Sequence, residues 1–120
     1  METTTSNVYQ RLNAARGIGM MGSQMSLCKI LKTVVDSMVA DLPKIDAALL
    51  SEDVLAANRI LHAIKGYMPI FACDALVAQV TTIEKISKTE SAAVVLPLYR
   101  ELAPELQALI VEIRAFLATN

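Results

Sequence analysis

Apolar residues recur at three- and four-residue steps along nearly the whole chain, and the alternation of a half-buried strand is almost absent. The clearest run is Leu27, Leu31, Val34, Val35, Met38, Leu42, Ile45 and Leu49, one continuous stripe on a single long helix. A stripe of that kind must be covered, so the chain is committed to helices packed on helices. Ser23 follows Gly22 as the cap of this long helix. Pro43 lies inside it, and because the periodicity continues on both sides, a kink is expected there and not a break.

The remaining helices follow from start and stop signals. Ser6 or Asn7 is expected to cap a short first helix through about Arg16, ending at Gly17-Ile18-Gly19, with residues 1–6 disordered. Ser51-Glu52-Asp53 reads as a hydroxyl cap followed by two acids, opening a helix toward Gly66, Met68 and Pro69. Asp74 starts the next, with Leu76, Val80 and Ile83 inward, fading near Lys88-Thr89. Ser91 caps a last helix or helix pair reaching Leu117, in which Pro97 and Pro104 leave room for a separate first segment. Short connections favour antiparallel neighbours, so the expected fold is all-α: an antiparallel up-down four-helix bundle with a short extra N-terminal helix, in one domain over residues 1–120.

Composition narrows the function classes. With 54% apolar residues in 120, the chain can bury a core without disulfides or a structural metal. A formal net charge of -1 offers no electrostatic reason to bind nucleic acid or an anionic membrane. The opening Met1-Glu2-Thr3-Thr4-Thr5 has no basic, then apolar, secretory pattern, and no apolar window approaches a membrane span. Cys28 and Cys73 stand apart without CxxC spacing, which fits reduced, buried thiols in the cytoplasm. One histidine and two cysteines make an ordinary zinc set nearly impossible, and a single histidine cannot supply the paired Glu-x-x-His of a di-iron bundle. No metal site is expected.

Gly17-Ile18-Gly19-Met20-Met21-Gly22 spells the dinucleotide-binding GxGxxG, yet that motif needs a preceding strand and a parallel sheet, which this chain lacks. It is expected to be a flexible connection between helices. His62 is more informative. Val54, Ala57, Leu61, Ile64 and Met68 define the buried stripe of its helix, and His62 is off it, on the adjacent stripe with Leu55, Asn58 and Lys65. Arg59 and Gly66 lie on the same polar flank. A surface histidine without a task is the commoner case. Here, however, Lys65 is placed to attract an anion held on the ring, Gly66 leaves room for an approaching backbone, and Glu84 on the following helix is placed to fix the tautomer.

The run His62-Ala63-Ile64-Lys65-Gly66, with Asp41-Leu42-Pro43 in the long preceding helix and Asp53 and Asn58 at the start of its own, resembles a histidine-containing phosphotransfer (HPt) domain. The resemblance spans most of the chain, through Ile83-Glu84 to a terminal helix ending near Leu117. It implies a four-helix bundle that relays phosphoryl groups between receiver-domain aspartates in a two-component phosphorelay. In that reading His62 carries the phosphoryl group, Lys65 faces it, and Glu84 hydrogen-bonds the ring. Arg59, Asn58, Gly66, Tyr67 and Met68 then form the surface on which a receiver docks. The implied partners are response-regulator receivers and a sensor or hybrid histidine kinase, with the chain monomeric and any magnesium held by the receiver. The resemblance further implies a phosphotransfer intermediate that binds no cofactor itself and, with no nucleotide-binding domain legible in the sequence, is not expected to be an autonomous ATP-dependent kinase. Where the family usually has small residues and a glycine, this chain has Tyr67-Met68-Pro69 and Ala72, a departure that bears on partner choice. Two rivals remain: an adaptor bundle that binds receivers or kinases without carrying phosphate, and a haem bundle ligated by His62 and a methionine.

Overall fold

The long apolar stripe between Leu27 and Leu49 folds as one helix, Gln24–Leu50, opened by Ser23, whose hydroxyl accepts from the Ser26 N–H. In this computed structural model, which describes residues 9–120, the helices in order are α1 (Ala14–Met21), α2 (Gln24–Leu50), α3 (Val54–Tyr67), α4 (Asp74–Ser87) and α5 (Ala92–Ala118). A single 3-10 turn, Met68–Ile70, joins α3 to α4. No helix among the described residues is long and apolar enough to cross a membrane.

The stripe residues Leu27, Leu31, Val34, Val35, Met38, Leu42, Ile45 and Leu49 are all buried, facing α3 and α5. The first turn of α2 meets the end of α5 through Gln24 and Asn120, and Asp46 near the other end of α2 pairs with Arg100 near the start of α5. These two long helices therefore run in opposite directions. Between them, the buried Tyr99 hydroxyl donates to the Leu42 carbonyl at 2.8 Å. Burial, with the Asp46 charge adding to it, pushes the Tyr99 hydroxyl up to about 12, so it stays protonated and keeps donating. Leu102, Leu106, Leu109 and Ile113 of α5 complete the core, each fully buried large side chain contributing about 1.5–3 kcal/mol.

The prolines do not interrupt these helices. Helix α2 continues through Pro43, and α5 is one helix through both Pro97 and Pro104, with no separate first segment. All three prolines are exposed. The carbonyls left without an N–H partner, those of Val39, Ala93 and Arg100, belong to exposed residues, open to solvent.

Two start signals are displaced. Ser51 does not open α3; its hydroxyl turns back to the Ala47 carbonyl at 2.7 Å and closes α2. Glu52 takes a left-handed conformation (φ 62°), and Asp53 becomes the cap, accepting from the Ala56 N–H at 3.1 Å. At the N-terminus the short helix starts at Ala14, capped by Asn13, and not near Ser6 or Asn7. Those two residues, like the rest of residues 1–8, lie outside the described part. The segment before α1 is instead extended: Leu12 bridges Ala72, with Asn13 N–H donating to the Phe71 carbonyl and Cys73 N–H to the Arg11 carbonyl. The Glu112 carboxylate accepts the Arg11 and Leu12 N–H groups and pairs with the Arg11 guanidinium, which also reaches Glu105. This strap ties the α3–α4 connection to α5.

The GxGxxG run is no flexible connection. Gly17 and Gly19 are helical, and only Gly22 lies outside, closing α1 with φ 90° and donating to the Ile18 carbonyl. At Gly17 a Cβ would sit 2.7 Å from a Leu27 methyl, so the missing side chain is what lets α1 approach α2. Gly19 and Gly22 make opposite predictions. Gly19→Ala meets nothing and is expected to stabilise by about 0.5–1 kcal/mol through helix propensity. Gly22→Ala is expected to destabilise by about 1 kcal/mol because of its positive φ. Thermal unfolding of the two variants checks both signs.

Candidate functional site

Helix α3 buries Ala57, Leu61 and Ile64, and that choice of face decides where its polar residues go. Asn58, His62 and Lys65 fall on the edge of the buried stripe, facing α4, while Leu55, Arg59 and Gly66 are exposed. Helix α4 buries Leu76, Val80 and Ile83, and the next residue, Glu84, is carried under α3 with them. Its carboxylate is almost completely buried, with a side-chain exposure of 1%.

Four side chains converge on that carboxylate. Lys65 Nζ donates to Oε1 at 3.0 Å. Asn58 Nδ2 donates to Oε2 at 3.0 Å. Lys88, one turn beyond Glu84 at the C-cap of α4, brings Nζ to 3.6 Å from Oε2. His62 Nδ1 stands 3.5 Å from the same oxygen, an ion-pair distance and longer than a well-formed hydrogen bond. The imidazole itself is 65% exposed. One ring nitrogen thus faces a buried carboxylate while Nε2 lies on the far side of a largely solvated ring.

The electrostatics of Glu84 are a contest. Burial alone pushes its carboxyl pKa up. The hydrogen bonds from Lys65 and Asn58, with the charges of Lys65 and Lys88, outweigh burial and hold it below the ordinary carboxylate range. Glu84 is therefore ionised at neutral pH. Chemically, the arrangement orients and polarises a single exposed imidazole from its dry side.

The sequence-derived residues divide into three groups. His62, Lys65 and Glu84 are brought together. Gly66 is exposed with open space where a Cβ would be, and Arg59 lies on the same outer flank. Asn58, expected on a docking surface, is partly buried with its amide turned inward to Glu84 and Ser87. Two further docking assignments need correction. Met68 is completely buried, because the chain leaves α3 in a 3-10 turn with Pro69 in its first positions, turning the methionine into the core. Tyr67 is only partly exposed; its ring stacks on Phe71 with centroids 6.1 Å apart, and its buried hydroxyl has no hydrogen-bond partner among the described residues. Sequence reasoning missed Ser87 and Lys88, although both stand at helical spacing from Glu84, three and four residues on.

The depressed Glu84 pKa makes a signed prediction. A carboxylate whose folded-state pKa lies below its unfolded value adds stability that is fully present above the unfolded value of 4.5 and is lost as pH falls through the folded value. Lys65→Met removes the strongest opposing interaction, so its acid-unfolding midpoint, followed by circular dichroism, is expected at higher pH than that of the wild type. Glu84→Gln should flatten the same acid limb.

The family model of the Hpt domain matches residues 29–116, which includes α3, α4 and every residue around Glu84. No curated protein and no solved structure matches the chain. The match covers most of the sequence and carries His62 on the exposed edge of its helix: the chain belongs to the Hpt domain family, whose helical bundles serve phosphotransfer in two-component signalling.

Proposed function

We propose that the chain relays a phosphoryl group between receiver-domain aspartates, with His62 as the residue that carries it. The observation that supports this most directly is the asymmetry of the imidazole: Nδ1 backed by a buried, ionised carboxylate, Nε2 on the solvated side. An anionic oxygen beside Nδ1 favours a proton on that nitrogen, which leaves the Nε2 lone pair free. In the transfer, that lone pair attacks the phosphorus of an aspartyl phosphate in line. The Nε2–P bond forms, the bond from phosphorus to the aspartate oxygen breaks, and the aspartate leaves with the electron pair as a carboxylate. The ring becomes cationic with its Nδ1 proton retained, and the resting 3.5 Å contact to Glu84 tightens as charge develops. The second receiver reverses the same step.

Lys65 neutralises Glu84 at rest and, on the same edge of α3 as His62, steadies phosphoryl oxygens once they arrive. Arg59 and Gly66, with the exposed Leu55 two turns before His62, form the ridge a receiver meets. Its magnesium belongs to the receiver's own acidic pocket. Helices α2 to α5 serve as the antiparallel four-helix bundle that holds this ridge out, a reading supported by the opposed α2 and α5 and by the short turns joining α2 to α3 and α4 to α5. A sensor or hybrid kinase supplies the first phosphoryl group.

The test is a transfer assay from a phosphorylated receiver. Wild-type protein should take up acid-labile, base-stable label, and His62→Gln, with unchanged helicity, should take up none. Equal labelling of the variant would overturn the assignment, and tight receiver binding without any labelling would favour an adaptor. Glu84→Ala should slow transfer by about tenfold or more without abolishing it.

A further inference from the structure

Asn58 sits one helical turn before His62, on the polar stripe that the sequence assigns to the surface. The structure gives its amide nitrogen three acceptors and an inward position. Nδ2 lies 3.0 Å from Glu84 Oε2, 2.8 Å from Ser87 Oγ and 3.2 Å from the Glu84 carbonyl. The Ser87 hydroxyl spends its own proton on the Glu84 carbonyl at 2.6 Å, so it can only accept from Asn58. With acceptors alone on that side, the amide has one workable orientation, since its oxygen placed there would oppose a carboxylate. The oxygen Asn58 engages, Oε2, is also the one that faces His62 Nδ1.

We infer that Asn58 is a positioning residue which, through Glu84, sets the tautomer of His62. The inference rests on the phosphotransfer reading only for its consequence, since the tautomer is measurable without any transfer. An ionised Glu84 can only accept, and so calls for a proton on Nδ1. A protonated Glu84 can donate to Nδ1 and place the ring proton on Nε2, which removes the lone pair that attacks. Lys65 guards Oε1 and Asn58 guards Oε2, so each oxygen has its own donor. The other charged or titratable groups facing this carboxylate among the described residues are Lys88 from its own helix and His62 itself. Asn58 supports the carboxylate without adding charge, and its fixed amide directs Oε2 toward Nδ1 without competing for an arriving phosphoryl group.

The chain has one histidine, so a nitrogen-15 spectrum of its imidazole reports a single ring. At a pH where the ring is neutral, wild-type protein is expected to be chiefly the Nδ1–H form. Without the Asn58 amide, Oε2 is released from its place beside Nδ1, so Asn58→Ala and Asn58→Asp should raise the ratio of Nε2–H to Nδ1–H by about tenfold, the size of the Nδ1–H hydrogen bond to a charged oxygen that is lost. Asn58→Asp also sets a second carboxylate against Glu84 and should shift the pH profile of transfer upward, lowering kcat with little change in KM for the receiver. A folded variant with an unchanged tautomer ratio overturns the inference. In the wild type, the Asn58 side-chain amide protons are expected to exchange slowly with solvent; exchange as fast as at a surface asparagine overturns it even if both variants fail to fold. Failure of transfer to wild-type His62 with the tautomer shift intact would instead refute the phosphotransfer reading and leave this one standing.

Discussion

A single ionised carboxylate buried at the edge of an apolar bundle organises the polar half of this molecule. Taking a carboxylate out of water is costly, and an unpaired one would protonate. Glu84 remains charged because Lys65 and Asn58 donate to its two oxygens and Lys88 adds positive charge nearby. Remove those donors and His62 would be an ordinary exposed imidazole beside a neutral acid. The position of the histidine, and the reason one of its nitrogens differs from the other, both follow from how that charge is satisfied.

That arrangement explains why the bundle is built as it is around α3 and α4. The Ala57, Leu61 and Ile64 stripe pulls α3 down onto the core, and the same rotation brings Asn58 and Lys65 against α4. Ile83 pulls Glu84 under with it, since neighbours on a helix are only about 100° apart. The strap of Arg11 to Asn13 on Phe71 to Cys73 then fixes the connection that sets the register of the two helices. Apolar packing thus does the placing, and the hydrogen bonds around Glu84 are made where packing has already brought the groups together.

Much of this was legible in the sequence because helical periodicity is a strong signal over long stripes. The run Leu27 to Leu49 marked α2, and the offset of His62 from the Leu61 and Ile64 stripe gave its exposure. What was not legible turned on competition between local partners. Ser51 can cap the following helix or bond back to Ala47, and the left-handed Glu52 makes the second choice, passing the cap to Asp53. Gly17 looks like a breaker until Leu27 is seen to need the space of its absent Cβ. Pro97 and Pro104 look like interruptions, but on the wet side of α5 a missing N–H costs little. Met68 fits both the three-four stripe and a docking surface by its position in the sequence; the stripe prevails, because the 3-10 turn keeps that residue facing the core.

The burial contrast between His62 and Glu84 has a chemical consequence that neither residue type implies alone. In the proposed relay, phosphoryl transfer happens on the solvated side, since a partner domain has to reach the ring and leave again. Orientation is better imposed from the dry side, where a carboxylate's field is less screened and its hydrogen bonds are stronger. A surface carboxylate beside His62 would be free to rotate and would repel the incoming phosphoryl group. Set beneath the ring and partly neutralised by Lys65 and Lys88, Glu84 acts on Nδ1 while presenting little negative charge to Nε2. The depth of one glutamate relative to one histidine is therefore what separates holding the ring from hindering the reaction.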